Sequence, residues 1–236
     1  MLGDKLGRSD VINIFPTKIG SYVFPNEYEK RLKQTCFNII NSFDIGSRRK
    51  SSSSTTTHYF DPKDGNESIL DYPGFEAFHG WIKGCSIDYI NNTLGLKCDN
   101  VVITSCWMNE CPKGGFQIPH NHENSVISGT YYVNFVKGMH APINFMNPER
   151  VGIYASVPYF NLDLDSKVER DCNWDKSSKT QGYDVEPNEG QLLLWKSHIG
   201  HNYCFNNADK RVSISFNVMP ETIPGLYNFK IEKVTS

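Results

Sequence analysis

The chain has 236 residues, enough for one large domain with a substantial core. Its 24 basic and 26 acidic residues leave a formal net charge of −2, which argues against a nucleic-acid partner and a polybasic membrane patch. The 7 cysteines are scattered with no Cys-x-x-Cys pair, which excludes a compact disulfide scaffold and fits reduced thiols in the cytoplasm.

The opening residues lack the apolar run of a signal peptide, and no apolar stretch reaches membrane-spanning length. VINIFPTKIGSYVF (11–24) reads as one or two short strands interrupted by Pro16 and Gly20. From Asn26 to about Phe43 the period changes: Leu32, Cys36, Ile39, Ile40 and Phe43 recur at helical spacing after Pro25-Asn26. The polar tract SRRKSSSSTTTH (47–58) reads as a mobile loop. A second helix is expected over about 74–93, with Phe75, Phe78, Ile82, Cys85 and Tyr89 on one face.

After Gly95 the sequence turns to strands. VVITSCWMNE (101–110), NSVISGTYYVNF (124–135), PINFM (142–146), GQLLLW (190–195) and KRVSISFNVM (210–219) are rich in β-branched and aromatic residues. A polar stretch over about 147–189 separates the third from the fourth and reads as an insertion. Two helices followed by a sandwich or barrel of at least five strands is the expected outline.

Just ahead of the second strand stand His120 and His122, in QIPHNHENSVISGTYYV (117–133). Residues i and i+2 of an extended chain point the same way, so both imidazoles could meet one ion; the same pair also suits an exposed loop. In the C-terminal half, Arg211, Ser213, Ser215 and Asn217 share one face of a strand whose other face is Val212, Ile214, Phe216 and Val218. An arginine on that polar face calls for an anion if it is buried, and for nothing if it faces solvent.

The paired histidines, His201 and Arg211 ten residues beyond it together resemble the Fe(II)/2-oxoglutarate-dependent oxygenases. More narrowly, the chain resembles a group related to prolyl hydroxylases and found in phages and marine bacteria. INIFPT (12–17), WMN (107–109), QIPHNHENSVISGTYYV, NFMNP (144–148), VEPNEGQLLLWKS (185–197), His201 and RVSISFN (211–217) carry the likeness, which fails in the polar loops at 47–58 and 150–182.

This resemblance implies a mainly β fold with flanking helices, a double-stranded β-helix of the jelly-roll or cupin-like kind. It implies one oxygenase domain over 1–236, with 1–95 as an N-terminal strand and helices packed on the barrel. Residues 96–220 would form the core and carry the insertion at about 147–189. It implies Fe(II) held by His120, His122 and His201, and 2-oxoglutarate as co-substrate, with Arg211 on its far carboxylate, supported by Ser213 and by Tyr132 or Tyr131.

The family pattern has a carboxylate where this chain has His122, so an all-histidine set would leave the metal one charge more positive. Glu123, adjacent to His122 and therefore on the opposite face, suits a supporting role. His198 competes with His201, which the spacing to Arg211 favours; His58, His79 and His140 are expected to hold no metal. The implied substrate is a small molecule or a protein side chain, the implied reaction hydroxylation, and the implied location the cytoplasm, including that of a phage-infected host. The loops at 47–58 and 150–182 are candidate substrate lids. A three-histidine cupin-like dioxygenase without 2-oxoglutarate and a non-catalytic metal-binding jelly roll are the competing readings.

Overall fold

The computed structural model describes residues 16–43, 49–50, 56–60, 68–147, 182–223 and 228–232. In chain order these form β1 (Gly20–Val23), α1 (Asn26–Ser42), β2 (Arg49–Lys50), β3 (Thr57–Tyr59), α2 (Glu76–Asp88), β4 (Val101–Cys111) and β5 (Gln117–His120). There follow β6 (Ile127–Asn134), β7 (Ile143–Met146), β8 (Gly182–Val185), β9 (Gln191–Lys196), β10 (His201–Tyr203), β11 (Arg211–Pro220), β12 (Thr222–Ile223) and β13 (Phe229–Lys230).

A 7-stranded sheet, ordered β1-β9-β6-β11-β4-β3-β2, and a 4-stranded sheet, ordered β5-β10-β7-β8, make a jelly roll of antiparallel strands. Strict alternation along the large sheet divides its side chains between two environments. Leu192, Leu194, Tyr131, Val212, Ile214 and Phe216 join Leu32, Cys36 and Ile39 of α1 and Phe78 and Ile82 of α2 in one apolar core. The opposite face contributes Tyr132, Leu193 and Trp195, which pack with Ile143, Phe145 and Ile199 in a second, smaller core. The helices thus cover the outer face of the large sheet, and the second core lies where the small sheet meets the inner one.

Both helices follow their apolar periodicity. Pro25 precedes α1 without needing to donate, and Glu27 and Glu29 place negative charge in its first turn, where the backbone dipole favours it. Helix α2 ends in a widened π turn over Tyr89–Thr93, closed by Leu94 N–H donating to Tyr89 O at 2.9 Å. Where β6 crosses under the first core, Gly129 leaves room for its neighbours. A Cβ there would lie 2.6 Å from both Leu194 Cδ2 and Phe216 Cζ.

Three expectations need adjustment. Residues 57–59 of the expected polar loop form β3, paired antiparallel to β4, because Thr56, Thr57 and Tyr59 are buried there. Residues 182–185 of the expected insertion form β8, hydrogen-bonded to β7. The strand expected over 11–24 is limited to Gly20–Val23 among the described residues. Residues 11–15, 44–48, 51–55 and 148–181 lie outside the described residues, and with them most of both candidate lids. Among the described residues no helix is long and apolar enough to cross a membrane.

Candidate metal centre and anion pocket

Strand β10 is three residues long, and its register does much of the assembly. His201 pairs with His120 of β5 on one side and with Phe145 of β7 on the other. Cross-strand partners carry their side chains on the same face, so two imidazoles far apart in sequence become neighbours, with ring centroids 4.4 Å apart. Strand β5 tolerates Pro119 because it is the edge of the small sheet, where a missing N–H costs no ladder bond. His122 stands two residues past β5 in a loop tied back to the turn after β9, its backbone N–H donating to Ser197 O at 3.1 Å. Its ring lies 5.1 Å from that of His201, 5.2 Å from that of His120 and 5.6 Å from that of Trp107.

One nitrogen from each of His120, His122 and His201 lies within 4.8 Å of the others. Metal–nitrogen bonds of about 2.1 Å let an ion span donors up to about 4.2 Å apart, so a small contraction would complete a three-nitrogen site. Two of the rings are already oriented. His120 Nδ1 donates to Ile118 O at 2.8 Å and His201 Nδ1 to Ile199 O at 3.1 Å, which leaves Nε2 of each with its lone pair. Burial, and behind it the neighbouring His120, pushes the His201 imidazole well below its ordinary value, so it stays neutral and able to donate electrons. Among the described residues no carboxylate joins the cluster. Glu123 is exposed in the loop and His198 is exposed in the turn before His201. His140 is buried in a different setting, its Nε2–H donating to Asp209 O at 3.0 Å. His58 lies in β3 and His79 in α2.

Beyond this cluster β11 brings Arg211 to the inner face. The residue is 2% exposed, and among the described residues no carboxylate pairs with it. Its guanidinium carbon lies 4.1 Å from the centroid of Tyr203, 5.4 Å from that of Tyr132 and 5.9 Å from that of Phe135, a box of aromatic faces. Nε–H donates to Ala141 O at 3.0 Å, and Asn206 Oδ1 in turn accepts from Ala141 N–H at 3.0 Å. A buried guanidinium without a counter-ion is costly, and an anion entering beside it would offset that cost.

Tyr132 comes from the neighbouring strand, with Ser213 directly across from it in register. Both are buried, and burial pushes the Tyr132 hydroxyl up to about 12 against the opposing pull of Arg211. Tyr131 is on the other face, against Phe24, Phe78 and Trp81, which removes it from the pocket. The rest of the inner face of β11 is polar and internally bonded. Asn109 Nδ2 donates to Ser215 Oγ at 3.0 Å, and Asn217 Nδ2 donates to Ser105 Oγ at 3.0 Å.

Tyr203, Trp195 and the Ala141 carbonyl were not singled out by sequence. Tyr203 follows His201 by two residues, so the spacing that found Ser213 beside Arg211 could have found it. Ala141 carries no side-chain signal at all, since it acts through its backbone.

Residues 105–217 match the model of a family described as "Putative 2OG-Fe(II) oxygenase". Among solved structures, a prolyl-4-hydroxylase of Pseudomonas putida aligns with TM-score 0.55 at 12% identity, over 85% of this chain and 92% of its own. A prolyl hydroxylase of Trichoplax adhaerens, in complex with a hypoxia inducible factor peptide fragment, aligns with TM-score 0.53 at 14% identity, over 84% of this chain and 82% of its own. HygX of Streptomyces hygroscopicus, with nickel, 2-oxoglutarate and hygromycin B bound, aligns with TM-score 0.54 at 13% identity, over 86% of this chain and 83% of its own. At these identities the likeness carries the jelly-roll fold. No curated protein matches the sequence.

Proposed function

We propose that this protein is an Fe(II)- and 2-oxoglutarate-dependent oxygenase that hydroxylates its substrate. The observation that carries this reading is the pairing of three converging imidazoles with a buried arginine that no carboxylate neutralises among the described residues. Nitrogen donors suit Fe(II), and the neutral state favoured for His201 leaves its lone pair available. When bound, iron and 2-oxoglutarate supply an oxidative decarboxylation that yields succinate and carbon dioxide and puts one atom of O2 into a substrate C–H bond.

The residues of the chain have positioning work in this scheme. His120, His122 and His201 would hold the metal, with the first and third rings aimed by the carbonyls of Ile118 and Ile199. Arg211 would take the far carboxylate of the co-substrate on its planar fork, with Tyr132 and Ser213 beside it. Strand geometry supports the span: His201 and Tyr203 are two residues apart, about 6.8 Å along a strand. Arg211 rests on Tyr203, so the same short strand would serve both the metal and the far carboxylate of the co-substrate. The family match over residues 105–217, and relatives crystallised with 2-oxoglutarate or with a peptide, support an oxygenase acting on a small molecule or a protein side chain.

The absence of a carboxylate from the histidine cluster, among the described residues, favours one second reading: a three-histidine dioxygenase that uses no 2-oxoglutarate. Such an enzyme has no use for the Arg211 pocket. One experiment separates the two. Protein loaded with Fe(II) without oxygen is expected to bind 2-oxoglutarate, and to release succinate when air is admitted, whereas Arg211→Ala is expected to lose the binding. A wild-type protein that binds no 2-oxoglutarate, or an Arg211→Ala protein that binds it equally well, would overturn the first reading.

A further inference from the structure

Trp195 lies on the inner face of β9, 1% exposed, its ring 4.8 Å from that of His201 and 5.2 Å from that of Phe145. Its Nε1–H has no hydrogen-bond partner among the described residues. An indole can only donate, so this group is paired only by an acceptor that arrives from outside the side chains around it. Among the described residues, Tyr132 Oη is likewise buried and makes no hydrogen bond of ordinary geometry, although Arg211 lies beside it.

The two are not randomly placed. Ser128 of β6 pairs with Trp195, so Tyr132 stands four residues further along β6, toward Arg211. Trp195 is therefore at the histidine end of the space between the sheets and Tyr132 at the guanidinium end. A dicarboxylate lying between the two has an acceptor group at each end, and each orphaned donor stands near one of them.

We propose that the Trp195 indole N–H donates to the metal-end carboxylate of the co-substrate, so that Trp195 holds one end while Arg211 and Tyr132 hold the other. This rests on the reading of 2-oxoglutarate as co-substrate. It adds to that reading a binding residue that acts without touching the metal. Phenylalanine keeps an aromatic ring against His201 and Phe145 while removing the donor together with the second ring of the indole, so the unchanged Zn(II) affinity and the N–H resonance separate loss of the donor from loss of packing.

The test uses protein loaded with Zn(II) as a non-reactive stand-in, titrated with 2-oxoglutarate. Trp195→Phe is expected to bind about tenfold more weakly, the share of one charge-assisted hydrogen bond, with Zn(II) affinity unchanged. In the wild type, the Trp195 indole N–H resonance is expected to move downfield as 2-oxoglutarate is added. That resonance is assigned by its loss in Trp195→Phe, or by elimination through Trp81→Phe, Trp107→Phe and Trp174→Phe should that variant not fold. Wild type that binds 2-oxoglutarate while the resonance stays still, or a Trp195→Phe protein of equal affinity, overturns the assignment and leaves the co-substrate reading standing. Wild type that binds no 2-oxoglutarate overturns both.

Discussion

The guanidinium carbon of Arg211 lies 4.1 Å from the centre of the Tyr203 ring, and Tyr203 stands two residues past His201 on β10. One three-residue strand therefore carries both a histidine of the candidate metal centre and the platform on which the buried arginine rests. The platform is itself held, because the Tyr203 hydroxyl lies 2.7 Å from Thr56 Oγ1 at the start of β3. Tyr203→Leu is expected to weaken 2-oxoglutarate binding about thirtyfold, with little change in metal affinity, since stacking on a desolvated guanidinium is worth about 2 kcal/mol. Tyr203→Phe, which keeps the ring, is expected to stay within about threefold of wild type. Equal binding by the leucine and phenylalanine variants, measured by calorimetric titration, would remove the platform role.

Arg211 also sets function against stability. Its charge is buried without a carboxylate among the described residues, offset only by aromatic faces and the Ala141 carbonyl. Replacing such a charge with an apolar side chain of similar length is often neutral or stabilising by about 1–4 kcal/mol. Arg211→Met is therefore expected to melt at the same temperature as the ligand-free wild type or a few degrees higher, and to gain nothing from added 2-oxoglutarate. A marked drop in melting temperature would mean that the guanidinium contributes to the fold instead.

His122 reaches the cluster from a loop, its backbone N–H donating to Ser197 O and its ring packed against Trp107. If it is the third ligand, His122→Ala should weaken metal binding by more than the roughly 10–100-fold that follows loss of a supporting contact around a metal. His122→Asp should retain metal at least as well as wild type, because it restores a negative charge opposite a divalent ion. Competition against a chromophoric chelator reads both. Metal retention untouched in His122→Ala would reduce the site to His120 and His201.

The buried His140 is expected to make stability fall in acid. Its Nδ1 accepts from Val136 N–H at 3.1 Å and its Nε2–H donates to Asp209 O, so a second proton on the ring would break the first bond. Burial, opposed by the Asp209 carbonyl and reinforced by Arg211, holds its pKa below the ordinary 6.5. The unfolded chain then takes up a proton near 6.5 that the folded protein refuses. Stability is thus fully present above 6.5 and is lost as pH drops below it, at up to about 1.4 kcal/mol per pH unit. His201 adds a loss of the same sign in the metal-free protein. Melting temperatures of the metal-free protein between about pH 8 and about pH 5 should show this fall, and a shallower one in His140→Gln. Identical slopes would remove His140 as a contributor.

Much of the scaffold was legible because burial on one face imposes a period on the sequence. Leu32, Cys36, Ile39 and Ile40 announce α1, and the alternation from Arg211 to Val218 announces both faces of β11. The short strands β5 and β10 were not legible. Strands of four and three residues show no period, and Pro119 interrupts the first. Tyr131 and Tyr132 could not be separated from the repeat of their own strand alone. That choice depends on which face of β6 the helices cover.

That His120 and His122 can share a direction, and that Arg211, Ser213, Ser215 and Asn217 must share another, is already written in the order of the residues. Both follow from the two-residue repeat of extended chain, which is local. Who meets whom comes from the folded arrangement: His201 opposite His120, Ser197 behind His122, Tyr203 beneath Arg211, Trp195 beside His201. Each of those contacts depends on the register between strands remote in the chain. Register is set by how whole faces bury against one another, so no single segment carries it.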